Sequence, residues 1–98
     1  MTLHVFSEEN GKKRLLLGLE FDSLQQLEPV FRSFQSATGV RLSEYDDATL
    51  GPQHLTLLDQ LLAKALSGGV KGDQAIFRFT VAVHHAASSD HCLIFVGE

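Results

Sequence analysis

The stretch TLHVFSEENGKKRLLLGLEF, Thr2 to Phe21, decides the first part of the fold, because two apolar runs flank a polar turn. Asn10-Gly11 lies at its centre, and both residue types tolerate the positive φ that a type I′ turn requires. A two-residue loop there places opposite charges across from each other, Glu9 with Lys12 and Glu8 with Lys13. The stretch therefore predicts an antiparallel β-hairpin.

The same register fixes which side chains share a face of the hairpin. It places His4 and Phe6 on one face with the apolar residues of the second strand, which are Leu15, Leu17, Leu19 and Phe21. We therefore interpret His4 as a histidine at the edge of the core rather than as a ligand.

Helical spacing follows the hairpin. Apolar residues recur at steps of three and four, at Leu24, Leu27, Phe31 and Phe34. Ser23 and Gln26 fit a capping box at the start of this helix. Pro29 removes one backbone donor, which predicts a kink or a main helix that begins at Pro29. Gly39 is a suitable left-handed residue for the end of the helix.

The segment VRLSEYDDATLGP, Val40 to Pro52, connects this helix to a second one, with a brief strand predicted at Val40 to Leu42. Gly51-Pro52 is typical of a helix start. The predicted buried stripe of the second helix consists of Leu55, Leu58, Leu62, Ala65 and Leu66. Ser67-Gly68-Gly69 predicts its end.

Two structures remain open for residues 74–88. The residues Phe77, Phe79, Val81 and Val83 alternate with less apolar ones, as in a strand. A helical face also exists, formed by Ile76, Phe79, Thr80, Val83 and Ala87, with Asp73 as the cap. We favour the helix, because AASSD suits a helix end better than a tight hairpin. CLIFVG, Cys92 to Gly97, is a buried strand in either case.

Together these elements predict an α+β domain. It has an N-terminal β-hairpin, two or three helices, and a C-terminal strand that joins a small sheet. The length of 98 residues and the absence of an internal boundary predict a single domain over residues 1–98.

The net charge of −4 is concentrated in one stretch. Between Arg41 and Lys64 there is no basic residue, and the stretch contains Glu44, Asp46, Asp47 and Asp59. An acidic face repels phosphate backbones, so we expect no nucleic acid as primary partner.

The localisation expected from the sequence is cytoplasmic. KKRLLLGLEF has the basic-then-apolar order of a signal peptide, but Gly18 and Glu20 interrupt the apolar run and no small-residue cleavage site follows. No stretch approaches the roughly 20 apolar residues that span a bilayer. A single cysteine excludes an internal disulfide and fits a reducing compartment.

The stretch VHHAASSDHC contains the residue types of a metal site or a catalytic cysteine. Adjacent histidines point about 100° apart on a helix and to opposite faces of a strand, so His84 and His85 cannot both bind one metal. The same holds for His91 and Cys92. Neither HExxH nor paired CxxC occurs, and a P-loop, GxGxxG turn and GxSxG elbow are also missing. We expect no enzyme activity, no metal and no cofactor.

The segment SEYDDATL places the single tyrosine of the chain, Tyr45, between carboxylates. Tyrosine provides a large contact area at low entropic cost and is enriched at interface centres. We therefore predict partner binding by Glu44, Tyr45, Asp46, Asp47 and Asp59. The alternative is a tyrosine that covers the helix pair, with its hydroxyl in water.

The order of hairpin, helix, GVRLSEYDDATLGPQHL, helix and terminal CLIFVGE resembles small bacterial proteins of the immunity type, encoded beside secreted or contact-delivered toxins. The resemblance spans most of the chain and implies a cytoplasmic inhibitor that binds one toxin, here with a basic cleft that meets the acidic segment. Two alternatives remain: a small metal-binding protein or enzyme centred on His84, His85, His91 and Cys92, and a self-associating structural subunit. The sequence leaves the oligomeric state open.

Overall fold

The computed structural model describes residues 2–43, 45–68, 74–89 and 91–97. Within these residues, four strands and three helices follow one another in the order ββαβααβ. Their bounds are β1 Thr2–Glu9, β2 Lys12–Glu20, α1 Phe21–Thr38, β3 Ala48–Leu50, α2 Pro52–Ser67, α3 Gln74–Ser88 and β4 Cys92–Gly97.

The four strands form one antiparallel sheet in the order β2-β1-β4-β3. The C-terminal strand β4 lies between β1 and β3, which confirms that it joins the sheet of the N-terminal hairpin. The predicted α+β class is confirmed. β2 and β3 are the two edge strands.

The hairpin turn is as predicted, and its register changes halfway along. Asn10 and Gly11 have φ of 53° and 78°, and Glu9 pairs with Lys12. A β-bulge then shifts the register, so that Phe6 pairs with Leu15 but Val5 pairs with Leu17. The extra residue in β2 is Leu16.

The bulge overturns the predicted grouping of side chains on the hairpin. Beyond Leu16 the alternation of β2 is inverted, so Leu19 comes to lie opposite Leu3 on the buried face. His4 lies on the opposite face beside Phe6, with ring centroids 6.4 Å apart. Burial explains the change, because one inserted residue places Leu17 and Leu19 on the same side of the sheet as Val5 and Leu3.

The core lies between this inner face of the sheet and the three helices. The strands contribute fully buried side chains, which are Leu3, Val5, Leu19, Leu50, Leu93 and Phe95. The helices contribute Leu27, Phe34, Leu55, Leu58, Leu62, Ile76, Phe79 and Val83.

Helix α1 begins at Phe21, directly after β2, and the predicted capping box is wrong. Ser23 is buried within the first turn, and Glu20, the N-cap, makes no side-chain capping bond. Burial of the apolar stripe therefore sets the helix start. The helix also runs through Pro29, so the predicted start of the main helix at Pro29 is wrong. The kink at Pro29 stays a prediction. Pro29 lies on the exposed side, where water can bind the carbonyl that lacks its helical donor.

Gly39 ends α1 in the left-handed conformation with φ of 78°, and its N–H donates to the carbonyl of Gln35. The brief strand predicted at Val40 to Leu42 is wrong, because these residues form no strand. A three-residue strand, β3, lies instead inside the predicted connecting segment. α2 begins at Pro52 as predicted, and Gly68 follows its last residue.

Residues Gln74–Ser88 form the helix α3, which confirms the favoured structure for this region. Phe79 is fully buried and contacts Phe31 of α1 and Phe95 of β4 edge to face, each with ring centroids 6.0 Å apart. The predicted cap Asp73 lies outside the described residues. Among the described helices, none is both long and apolar enough to span a membrane.

Candidate partner-binding surfaces

Tyr45 lies in a short turn that Ser43 and Asp46 hold together. The Ser43 hydroxyl donates to Asp46 Oδ2 at 2.7 Å, and the backbone N–H of Tyr45 donates to Ser43 Oγ at 3.2 Å. The backbone N–H of Asp46 also donates to the carbonyl of Ser43 at 3.3 Å. We call Ser43 together with Tyr45, Asp46 and Asp47 the tyrosine turn. Glu44 lies outside the described residues.

Asp47 fixes the tyrosine turn to the sheet. Its Oδ1 accepts a hydrogen bond from the backbone N–H of Gly97 at 3.0 Å. Gly97 is the last residue of β4, and Ala48 directly after Asp47 begins β3. The turn is therefore anchored at the end of the sheet where β3 and β4 pair.

The turn presents an aromatic side chain to solvent. Tyr45 has 68% of its surface exposed. The alternative prediction, a tyrosine that covers the helix pair, does not fit so large an exposed fraction. An exposed aromatic side chain on a turn with internal hydrogen bonds is a low-entropy contact for a protein partner.

The predicted acidic residues differ in their surroundings. Asp46 Oδ2 lies 3.6 Å from Arg41 Nε, so one positive charge stands beside the turn. Asp59 lies on α2, and its Oδ2 is 3.0 Å from His84 Nδ1 on α3. The structure therefore brings Tyr45, Asp46 and Asp47 together and places Asp59 at the contact between two helices.

The four residues of the alternative metal site do not meet at one point. His85 and His91 come together with ring centroids 6.2 Å apart, and His91 Nδ1 lies 3.2 Å from Glu9 Oε1. His84 instead contacts Asp59. Cys92 is half-buried in β4, opposite Glu8. Within the described ranges, no group of three or more His, Cys, Asp or Glu side chains could hold a metal ion.

A groove of about 440 Å³ lies between β2 and α3, and it was not predicted from the sequence. We call it the edge groove. Leu16, Phe77 and Val81 line it, and their exposed fractions are 36%, 66% and 51%. Arg14, Arg78 and Glu9 also line the groove.

A sequence signal for the edge groove existed in α3. Phe77 and Val81 are four residues apart, so they share a helical face, and that face differs from the one formed by Ile76, Phe79 and Val83. Apolar residues on two faces of one helix indicate that the second face also has an apolar environment.

The chain is not matched by any protein-family model, curated protein or solved structure with which it was compared.

Proposed function

We propose that this chain is a non-enzymatic protein-binding domain that recognises its partner through the tyrosine turn. The observation that carries the proposal is an aromatic residue, Tyr45, that is 68% exposed on a turn in which Ser43, Asp46 and Asp47 make hydrogen bonds. A preorganised loop loses little conformational entropy on binding, so more of the contact energy of the ring becomes affinity.

The form of this function that we propose is inhibition of a bacterial toxin by an immunity-type protein. The resemblance in the order of elements supports it, as does the position of Asp46 and Asp47 directly after the exposed Tyr45. A basic cleft is common in toxins that act on nucleic acids or nucleotides, and carboxylates beside an aromatic anchor are complementary to such a cleft. Arg41 reduces the negative charge beside Asp46, so Tyr45 is the main anchor in this proposal.

The test is a binding titration with the protein that co-purifies from the native host, using matched aromatic variants. Tyr45→Ala should weaken binding by about 2 kcal/mol, which is roughly thirtyfold in Kd. Phe77→Ala is the control, because Phe77 has nearly the same exposed fraction as Tyr45, 66% against 68%, on a different surface. Tyr45→Phe separates the ring from its hydroxyl.

Wild-type affinity in Tyr45→Ala together with a loss in Phe77→Ala contradicts the proposal and assigns binding to the edge groove. Equal small effects of both variants also contradict it. Thermal melts of each variant establish that the fold is retained.

A further inference from the structure

We infer that two copies of this chain associate through their β2 strands, which pair antiparallel about a two-fold axis into one continuous eight-stranded sheet. This inference is independent of the proposed function. β2 is one edge of the sheet, whereas the tyrosine turn precedes β3 at the other edge.

β2 is a long edge with apolar side chains beside it. It has nine residues, and Leu15 and Leu16 are 54% and 36% exposed. Phe77 and Val81 of α3 add two more exposed apolar side chains along the same edge. An edge strand of this length and apolar character is a template for another strand, and natural proteins cover such edges.

The hairpin turn determines which backbone groups of β2 face outward. In a type I′ turn the carbonyl of Glu9 accepts from the N–H of Lys12, so this pair is hydrogen-bonded. Hydrogen-bonded and non-hydrogen-bonded pairs alternate along an antiparallel ladder. Lys13 and Leu15 therefore direct their N–H and C=O groups towards the free edge.

The bulge at Leu16 changes this alternation in the second half of the strand. β1 keeps its own alternation, and it pairs Val5 with Leu17 beyond the bulge. The residues of β2 that face outward beyond the bulge are consequently Gly18 and Glu20. A bulge usually hinders pairing at an edge. Here, however, its shift lets the two halves of β2 match each other.

One register matches the four outward-facing residues in a symmetric pair, although Glu20 contributes only its N–H, because its carbonyl, as the N-cap of α1, accepts the first bond of the helix. In it Lys13 of one copy lies opposite Glu20 of the second copy, and Leu15 lies opposite Gly18 of the second copy. The two-fold axis repeats both pairs, because a symmetric interface uses the same surface in each copy. Opposite charges therefore meet at both ends of the paired strands, and a large side chain faces a glycine in the middle.

The inner side of this arrangement covers the edge groove. Leu16, Phe77 and Val81 of each copy lie next to the axis, so two apolar surfaces face each other across it. Lys13 and Glu20 thus specify the orientation, and the apolar side chains supply the buried area. A parallel arrangement of the two β2 strands would place like charges opposite each other. The outward N–H and C=O groups of one strand would then not lie opposite those of the other.

The first experiment measures mass and amide exchange of the wild-type chain over a range of concentrations. We expect the mass to rise from 10.8 kDa to twice that value. The amides of Lys13, Leu15, Gly18 and Glu20 should gain protection in the dimer, whereas those of Lys12, Arg14 and Leu19 should be protected in the monomer already, because these residues pair with β1. A mass of 10.8 kDa up to millimolar concentration, or a dimer without protection at those four amides, overturns the inference.

The second experiment exchanges the charges. Lys13→Glu and Glu20→Lys should each weaken the dimer by roughly tenfold, because each places like charges opposite each other at two symmetric positions. The double variant should restore the dimer to within a few-fold of the wild type. Unchanged dimer affinity in both single variants overturns the register. A double variant that dimerises as weakly as either single variant overturns it too. Amide exchange on the wild type keeps the test valid if a variant fails to fold.

Discussion

Asp47 and Gly97 are fifty residues apart in the chain, and the carboxylate Oδ1 of Asp47 accepts the backbone N–H of Gly97 at 3.0 Å. This bond links the tyrosine turn to the last residue of β4. A residue predicted as part of a binding surface therefore also has a structural role, and the charge and the hydrogen bond of Asp47 have to be tested separately.

Asp47→Ala should lower the free energy of unfolding by about 1 kcal/mol, because it leaves the N–H of Gly97 without its acceptor. Asp47→Asn keeps a carbonyl oxygen in the same place and serves as the matched control. Urea denaturation measures the stability, and amide exchange at Gly97 measures the bond. If Ala and Asn give the same midpoint and the same exchange rate, the hydrogen bond does not stabilise the turn.

Gly11→Val should lower the free energy of unfolding by about 1–3 kcal/mol, because Gly11 has φ of 78° and a β-branched side chain is strained there. No atom outside its chain neighbours lies within 4 Å of a Cβ at this position. The loss would therefore come from the backbone conformation alone. Gly11→Asn is the control, since asparagine adopts the left-handed region more readily. An unchanged urea midpoint in Gly11→Val would contradict the positive φ of residue 11 in the hairpin turn.

Phe79→Ala should be the most destabilising of these changes, at about 3–5 kcal/mol, as is usual for truncating a fully buried phenylalanine. Phe79 is fully buried and contacts Phe31 and Phe95 edge to face. Truncation thus leaves a cavity where α1, α3 and β4 meet. Phe77→Ala on the same helix should cost about 0.5 kcal/mol or less when measured on the monomer. Thermal and urea melts of both variants give the comparison. Similar losses of stability in the two variants would contradict the assignment of Phe79 to the core and of Phe77 to the surface.

The hairpin and the helices could be predicted because their signals are local. Asn10-Gly11 determines a turn by backbone conformation alone, and the end of α1 at Gly39 depends on the same property. The apolar spacing of α2 is likewise visible within one helix. These features need no knowledge of which surfaces the rest of the chain covers.

The features that were mispredicted or missed depend on contacts between distant parts of the chain. The bulge at Leu16 is determined by which face of β1 and β2 the helices cover. β3 has three residues and exists because Leu50 and its neighbours pair with β4. The exposed position of Phe77 follows from how α3 lies against β2, so the edge groove could not be derived from the helical spacing alone.

His84→Gln and His85→Gln together should leave partner binding within about twofold of the wild type, because neither residue belongs to the tyrosine turn. The stability should change by about 0.5 kcal/mol or less. His84 is 69% exposed in its contact with Asp59, and exposed ion pairs contribute little. Zinc titration followed by metal analysis is the accompanying measurement. Stoichiometric zinc in the wild type, lost in the double variant, would favour the metal-binding alternative.

The last prediction concerns the charge of the tyrosine turn in partner binding. Substitution of both Asp46 and Asp47 by Asn removes two negative charges but keeps an oxygen acceptor for Ser43 and for Gly97. Substitution by Lys would break both bonds, so a loss of binding could then come from a disordered turn.

If the partner presents a basic cleft, the Asn variant should associate more slowly, by roughly three- to tenfold at low salt, because electrostatic steering raises association rates. The difference from the wild type should diminish as the ionic strength rises and the Debye length falls. Dissociation should change less, since Tyr45 remains in place.

A control variant with Glu8→Gln and Asp22→Asn changes the net charge by the same amount away from the tyrosine turn. Stopped-flow association at several salt concentrations compares the three proteins. Equal slowing in both variants would show that only the total charge matters, and an unchanged association rate in the Asn variant would remove the two aspartates from recognition. We expect the tyrosine-turn variant alone to lose most of the salt dependence, because the two carboxylates directly follow the tyrosine that we propose as the anchor.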